Sequence, residues 1–228
     1  MVSPDDPVVV TLKWDDATHE RLTDYRKAYF PAHANHLAAH LTLFHAIPAE
    51  HFFEPHGKGE AILRQLCQKT KRFSFTYGEP TLRGRAVFLR LFANPLVAFH
   101  HQLLDAYTKP STDAVHAQDA PPVSLTEQDR KPLHPHITVS NKGRAEDAER
   151  VYEAIAQQFR EHASTTSNKA AHTSHAKPTD GQSSQTSAHG AGKHRRLRGQ
   201  AYGVDVWRYR GGPWEHCFTI PFREPQKP

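Results

Sequence analysis

The sequence predicts an α+β fold built on a duplicated unit, with two halves facing each other across a cleft. Three observations predict it. Strand-like alternation and helix-like spacing take turns along most of the 228 residues. A His-x-Thr strand followed by a helix and two further strands occurs in both halves. A long polar tract interrupts the second occurrence without ending the pattern.

Pro7 to Lys13 is a β-branched run and reads as a strand. Asp15 or Asp16 can cap a helix through His19, Leu22, Tyr25 and Tyr29, which Pro31 ends. His40 to Phe44 alternates and reads as a strand, closed by Pro48. Gly57 to Lys71 carries Ile62, Leu63, Leu66 and Cys67 at helical spacing. Phe73 to Tyr77 alternates as a strand that Gly78-Glu79-Pro80 is expected to break, and Ala86 to Phe92 is the next strand. Pro95 suits the first turn of a helix through Phe99, Leu103 and Tyr107. Residues 109–124 read as a loop. Leu133 to Ser140 is a strand, and Glu146 to Phe159 a helix with Ala148, Val151, Ile155 and Phe159 on one face. Strand alternation returns over Tyr202 to Tyr209, and Gly211-Gly212-Pro213 turns the chain into a last strand from Trp214 to Phe222.

The polar tract has no aliphatic side chain larger than alanine, so it cannot bury enough apolar area to offset its ordering entropy. The expected organisation is one domain over 1–162 plus 196–224, with 163–195 a disordered low-complexity insertion. Hydrophobic residues make up 37% of the chain, low for a globule, which agrees with an unpacked stretch. The net charge of +5 favours anionic partners mildly. Two cysteines, Cys67 and Cys217, offer neither a disulfide framework nor a metal spacing, and read as reduced thiols. No apolar run approaches the roughly 20 residues of a membrane helix, and the N-terminus lacks the features of a signal peptide. A cytoplasmic protein that does not engage membranes is expected. Lys193 to Arg198 gives an alternative, nuclear address, or is a solvated charge run.

His-x-[Ser/Thr] is common in a chain with 18 histidines; His162-Ala163-Ser164 and His172-Thr173-Ser174 also match. Only His40 and His136 stand in apolar alternating segments with the same elements after them. Residues i and i+2 of a strand share a face. His40 and Thr42 therefore point one way with Leu41 and Leu43 on the other, and His136 and Thr138 do so against Ile137 and Val139. Two imidazoles and two hydroxyls in one cleft suit a phosphodiester: one imidazole removes a proton, one imidazolium donates a proton, and the hydroxyls hold the non-bridging oxygens. The bland reading is a pair of structural histidines beside β-favouring threonines. Short spacings at His33/His36 and His134/His136 can chelate zinc, but no cysteine or carboxylate completes a set nearby, so no metal is expected.

The motifs His40-Leu41-Thr42-Leu43 and His136-Ile137-Thr138-Val139, with the flank Phe44-His45-Ala46-Ile47-Pro48 and the ending Trp207 to Trp214, resemble the 2H phosphoesterase superfamily of 2'-5' RNA ligase-like and cyclic nucleotide phosphodiesterase-like proteins. The resemblance covers nearly the whole chain outside 163–194. It implies a bilobed fold with two antiparallel sheets facing a central cleft and helices outside. It also implies metal-independent catalysis without a cofactor on a 2',3'-cyclic or 2'-5' phosphodiester of RNA or a nucleotide. The catalytic candidates are His40 and His136, and the phosphate-holding candidates Thr42 and Thr138. Phe44, Tyr209 and Trp214 are candidates for stacking a base, and Lys142 and Arg144 for the cleft mouth. Which histidine is acid and which base stays open, as does hydrolysis against ligation. A monomer acting on an RNA end or nucleotide is expected. The rival readings are a non-catalytic RNA- or nucleotide-binding module using the same cleft, and a scaffold whose working part is the polar tract.

Overall fold

The structure, a computed structural model, describes residues 6–53, 57–109, 123–171 and 196–224, with 162–171 described by backbone alone. It is an α+β architecture: a curled antiparallel sheet with helices packed on it. The strands are β1 (Val8–Trp14), β2 (Thr42–Ile47), β3 (Phe73–Arg83), β4 (Ala86–Phe92), β5 (His136–Ser140), β6 (Leu197–Arg208) and β7 (Glu215–Pro221). The helices are α1 (Asp16–Tyr29), a single turn α2 (Ala49–Phe52), α3 (Gly59–Lys69), α4 (Asn94–Thr108) and α5 (Ala145–Ala171). Among the described residues no helix is long and apolar enough to cross a membrane.

The strand order is β2-β1-β6-β3-β4-β5, with β7 on β6. The halves expected as two sheets are joined edge to edge by one short ladder, Phe73–Tyr77 against Leu197–Ala201. β3 serves two neighbours and β6, the longer strand, serves three. β6 gives one edge to β1 and divides the other between β3 and β7. β3 pairs with β6 at its start and with β4 along the rest. Gly78-Glu79-Pro80, expected to end β3, forms a bulge inside it instead, with Gly78 at φ 148° and Glu79 at φ 52°. A Cβ on Gly78 would stand 3.0 Å from the Phe159 ring, so the glycine also lets α5 lie close on the sheet.

The pairing redraws the repeat. The equivalent units are β1-α1-β2-α3-β3 and β4-α4-β5-α5-β6, because β1 lies between β2 and β6 as β4 lies between β5 and β3. The expected frame, which begins at each motif strand and equates β4 with β7, is displaced by one strand; among the described strands β7 pairs with β6 alone.

The ends of the elements follow local chemistry. Asp15 accepts the Thr18 N–H at 2.9 Å and caps α1, and its other oxygen accepts the Gln200 N–H at 2.7 Å. Pro95 occupies the first turn of α4. α5 runs to Ala171, past the expected start of the polar tract; residues 172–195 lie outside the described residues, as do 110–122 of the expected loop. Of the basic run 193–198, Leu197 and Arg198 belong to β6, and Arg196 pairs with Glu79 at 2.6 Å. The core includes Leu22, Leu63, Phe75, Tyr77, Phe99, Leu103, Tyr107, Ile155 and Phe159, each at most 2% exposed.

Candidate active site

The two motif histidines stand at the mouths of the two edge strands. His136 begins β5; His40 lies in the extended segment just before β2 rather than inside a strand. Each is held by the same local device. His40 Nδ1 is 2.8 Å from the Ala38 carbonyl, and His136 Nδ1 is 2.7 Å from the His134 carbonyl. A carbonyl only accepts, so Nδ1 carries the proton in both rings and Nε2 is the nitrogen left for chemistry. Each ring also leans on an aromatic wall: Trp214 at 4.7 Å from His40, and Phe88 at 5.1 Å from His136.

A β-bulge follows each motif threonine. Thr11 faces Thr42 while the preceding Val10 faces Phe44, and Phe88 faces Thr138 while Val87 faces Ser140. One residue of the inner strand thus opposes two of the motif strand, Leu43 and Val139 are the extra residues, and the alternation slips by one. Strict alternation puts Phe44 on the cleft face. The bulge instead turns Phe44 into the core, fully buried, 5.0 Å from the His100 ring and 5.2 Å from Tyr107. The base-stacking role expected for Phe44 is therefore corrected. Its counterpart Ser140 is also buried, and the residues that reach the cleft are His45 and Asn141.

Two cavities meet at the motifs. One, of about 780 Å³, is lined by Thr42, His45, Phe88, His136 and Thr138, with Arg83, Arg90 and Lys131 among its other walls. The second, of about 500 Å³, is lined by Arg26, His40, His45 and Thr138, and by the expected Lys142, Tyr209 and Trp214. His45, Thr138 and Asn141 line both, so the two form one cleft around the motif residues. Arg144 is the exception. It pairs with Asp147 at 3.2 Å and lines a separate cavity of about 270 Å³ that contains no motif residue, so the cleft-mouth role expected for it is not supported by its position.

Each half braces the other's motif. Arg26, on α1, is 4% exposed and donates to the Thr138 carbonyl at 2.7 Å, the Leu37 carbonyl at 3.2 Å and Asn35 Oδ1 at 3.1 Å. His100, on α4, hydrogen-bonds the backbone of Leu43. Burial pushes the Arg26 guanidinium down to about 10, still charged at neutral pH. That cation borders the cleft and contributes to the state of His40. Burial is the main influence on His40, and with Arg26, His45 and His136 it pushes the imidazole down to about 4 despite the bond to Ala38.

Sequence reading missed Arg26, Asn141 and Asp129 as parts of the site, and named His45 only in the flank of the first motif. Among the described residues no three potential metal-binding side chains cluster. Arg26 had a signal: it stands four and eight residues after the buried Leu22 and Thr18 on the inward face of α1, where an arginine demands partners. Asp129 is 2% exposed and accepts from His45, but it is 84 residues away in sequence and nothing local marks it.

The profile of the 2'-5' RNA ligase superfamily matches residues 14–177. No curated protein sequence matches significantly. Among solved structures, TT0787 of Thermus thermophilus aligns with a TM-score of 0.50 at 12% identity, over 96% of this chain and 98% of that one. E. coli LigT complexed with 3'-AMP aligns with a TM-score of 0.45 at 14% identity, over 95% and 98%. At such identities TT0787 supports the fold alone.

Proposed function

The chain belongs to the 2'-5' RNA ligase superfamily, and from that premise we propose that it hydrolyses or transesterifies a 2',3'-cyclic or 2'-5' phosphodiester of RNA or a nucleotide by metal-independent acid–base catalysis. The observation that carries this reading is the pair of imidazoles, His40 and His136, each with Nδ1 tied to a carbonyl two residues back and both bordering one cleft with Thr42 and Thr138. His40, pushed down to about 4, is neutral at physiological pH, so its Nε2 is available to accept a proton as a weak base. In hydrolysis its Nε2 takes a proton from water as the water oxygen bonds to phosphorus. The bond from phosphorus to the leaving oxygen breaks, and that oxygen takes the proton of His136 Nε2. Exchange with solvent restores both rings. The threonine hydroxyls donate to the non-bridging oxygens, and the cations Arg26, Arg83, Arg90 and Lys131 around the cleft favour an anionic ligand. Lys142, Tyr209 and Trp214 are the residues in reach of the nucleoside on the His40 side.

The test is a screen of the wild type and the His40→Ala/His136→Ala double variant against 2',3'-cyclic nucleotides, ADP-ribose 1'',2''-cyclic phosphate and 2'-5' oligoadenylate, each with and without chelator. Turnover of at least one substrate is expected from the wild type alone, and unaffected by chelator. Equal turnover by the double variant, or turnover abolished by chelator, overturns the mechanism.

A further inference from the structure

We propose that His45 is a third imidazole of this cleft, one that holds a non-bridging phosphate oxygen, and that Asp129 is the residue that positions it. The proposal rests on the phosphodiester reading of the same cleft. It stands on three features of the structure. First, the bulge at Leu43 turns the His45 side chain away from the core and into both cavities, which Thr138 also lines. Second, a fully buried carboxylate fixes its ring. Asp129 Oδ1 accepts the His45 backbone N–H at 2.7 Å and lies 3.1 Å from His45 Nδ1, while Oδ2 accepts the Ala46 N–H at 3.1 Å. Third, Nε2 accepts from the Gln128 amide, at 3.2 Å across a solvent-exposed contact, and once protonated it can give that contact up and donate to a ligand oxygen.

The chemistry follows from the charge of the partner. Burial alone would raise the Asp129 carboxyl, but the His45 ring and the two backbone N–H donors outweigh it and hold the group below the usual carboxylate range. An ionised Asp129 keeps the proton on Nδ1 and balances the charge that the ring gains when Nε2 is also protonated. The doubly protonated ring then offers Nε2–H to a phosphate oxygen as a charge-assisted donor. The bonds to the backbone of His45 and Ala46 show that the carboxylate also ties the 123–135 segment to β2. The ring contact is additional to that tie. The second half has no such pair, since its equivalent residue is Asn141, whose Oδ1 accepts the N–H of Lys142 at 2.8 Å. The third imidazole, with the charge it can carry, therefore lies on one side of the pseudo-twofold, and across the axis its place is taken by the uncharged Asn141 amide.

Titrating inorganic phosphate into the full-length protein tests this without relying on turnover. His45→Ala is expected to weaken phosphate binding about tenfold or more, the size of a lost charge-assisted hydrogen bond. His45→Gln, which keeps an N–H donor, recovers part of it. Asp129→Asn weakens binding less and changes the tautomer of the His45 ring, read from its ring ¹⁵N shifts, which a purely structural tie to the backbone would not move. Melting curves check that each variant folds, and His45 is exposed enough for its replacement to be tolerated. Wild-type affinity for phosphate in His45→Ala, or no phosphate binding by the wild type, overturns the proposal. A wild type that binds phosphate through His45 yet turns over no phosphodiester sinks the proposed reaction and leaves this site standing.

Discussion

The segment from His40 to His45 and the segment from His136 to Asn141 are built alike for five residues and differ at the sixth. Both histidines give Nδ1 to the carbonyl two residues back, both lean on an aromatic ring, and both threonines precede a bulge. Past the bulge the first segment presents an imidazole on a buried carboxylate and the second an amide. The surroundings differ as well: His40 is half-buried near the Arg26 cation, and His136 is exposed beside Phe88. Local sequence repeats the placement of the two rings, and tertiary neighbours give them different surroundings.

The largest test of that comparison is to remove each ring separately. His40→Ala and His136→Ala should each lower turnover by about 10²–10⁴-fold with little change in melting, because the proposed step needs a base and an acid together. A loss confined to one of them breaks the two-histidine scheme. Next come the residues that the bulge turns inward. Phe44→Ala should cost about 3–5 kcal/mol of stability in denaturant unfolding, against about 1 kcal/mol for Ser140→Ala. A Phe44→Ala protein of normal stability but altered substrate affinity would restore Phe44 to the cleft. Arg26→Met should cost about 1–3 kcal/mol by stranding the Thr138 and Leu37 carbonyls. It should also raise the His40 titration seen by NMR, though not to 6.5, since burial remains the larger cause.

The smallest effect is on the pH dependence of stability. His40 titrates at about 4 in the folded protein and near 6.5 when unfolded. Between those values the unfolded chain holds more protons, so stability is full above pH 6.5 and falls as the pH drops towards 4. With allowance for partial exposure, the contribution is about 1 kcal/mol. His40→Gln should flatten that part of the stability–pH curve. An unchanged curve would mean that the ring is less buried than its position indicates.

Most of the elements were legible in the sequence because they depend on local chemistry. Asp15 caps α1, Pro95 opens α4, and alternation marks the strands around both motifs. What stayed hidden depends on pairing. The bulges after Thr42 and Thr138 exist because β1 and β4 offer one residue where the motif strands offer two, and nothing in His40 to Phe44 alone announces this. The same holds for the Gly78-Glu79-Pro80 bulge, where turn residues serve a strand that changes neighbours. Asp129 and Arg26 join the site through contacts 84 and 112 residues away in sequence, beyond the reach of any periodicity.

The position of β6 has a consequence for the order of folding. β6 bonds to β1, β3 and β7, yet its pairing with β1 joins Val8 to Arg208 across nearly the whole chain. Until Leu197 and the residues after it have been synthesised, β1–β2 and β3–β4–β5 are separate fragments, and the inner edges of β1 and β3 are uncovered. Loop closure over such a span is slow, and an uncovered strand edge invites pairing with another chain. The ribosome therefore completes the joined sheet late, and a chain halted inside the polar tract would carry both motif histidines but not the strand that brings the two fragments into a single sheet.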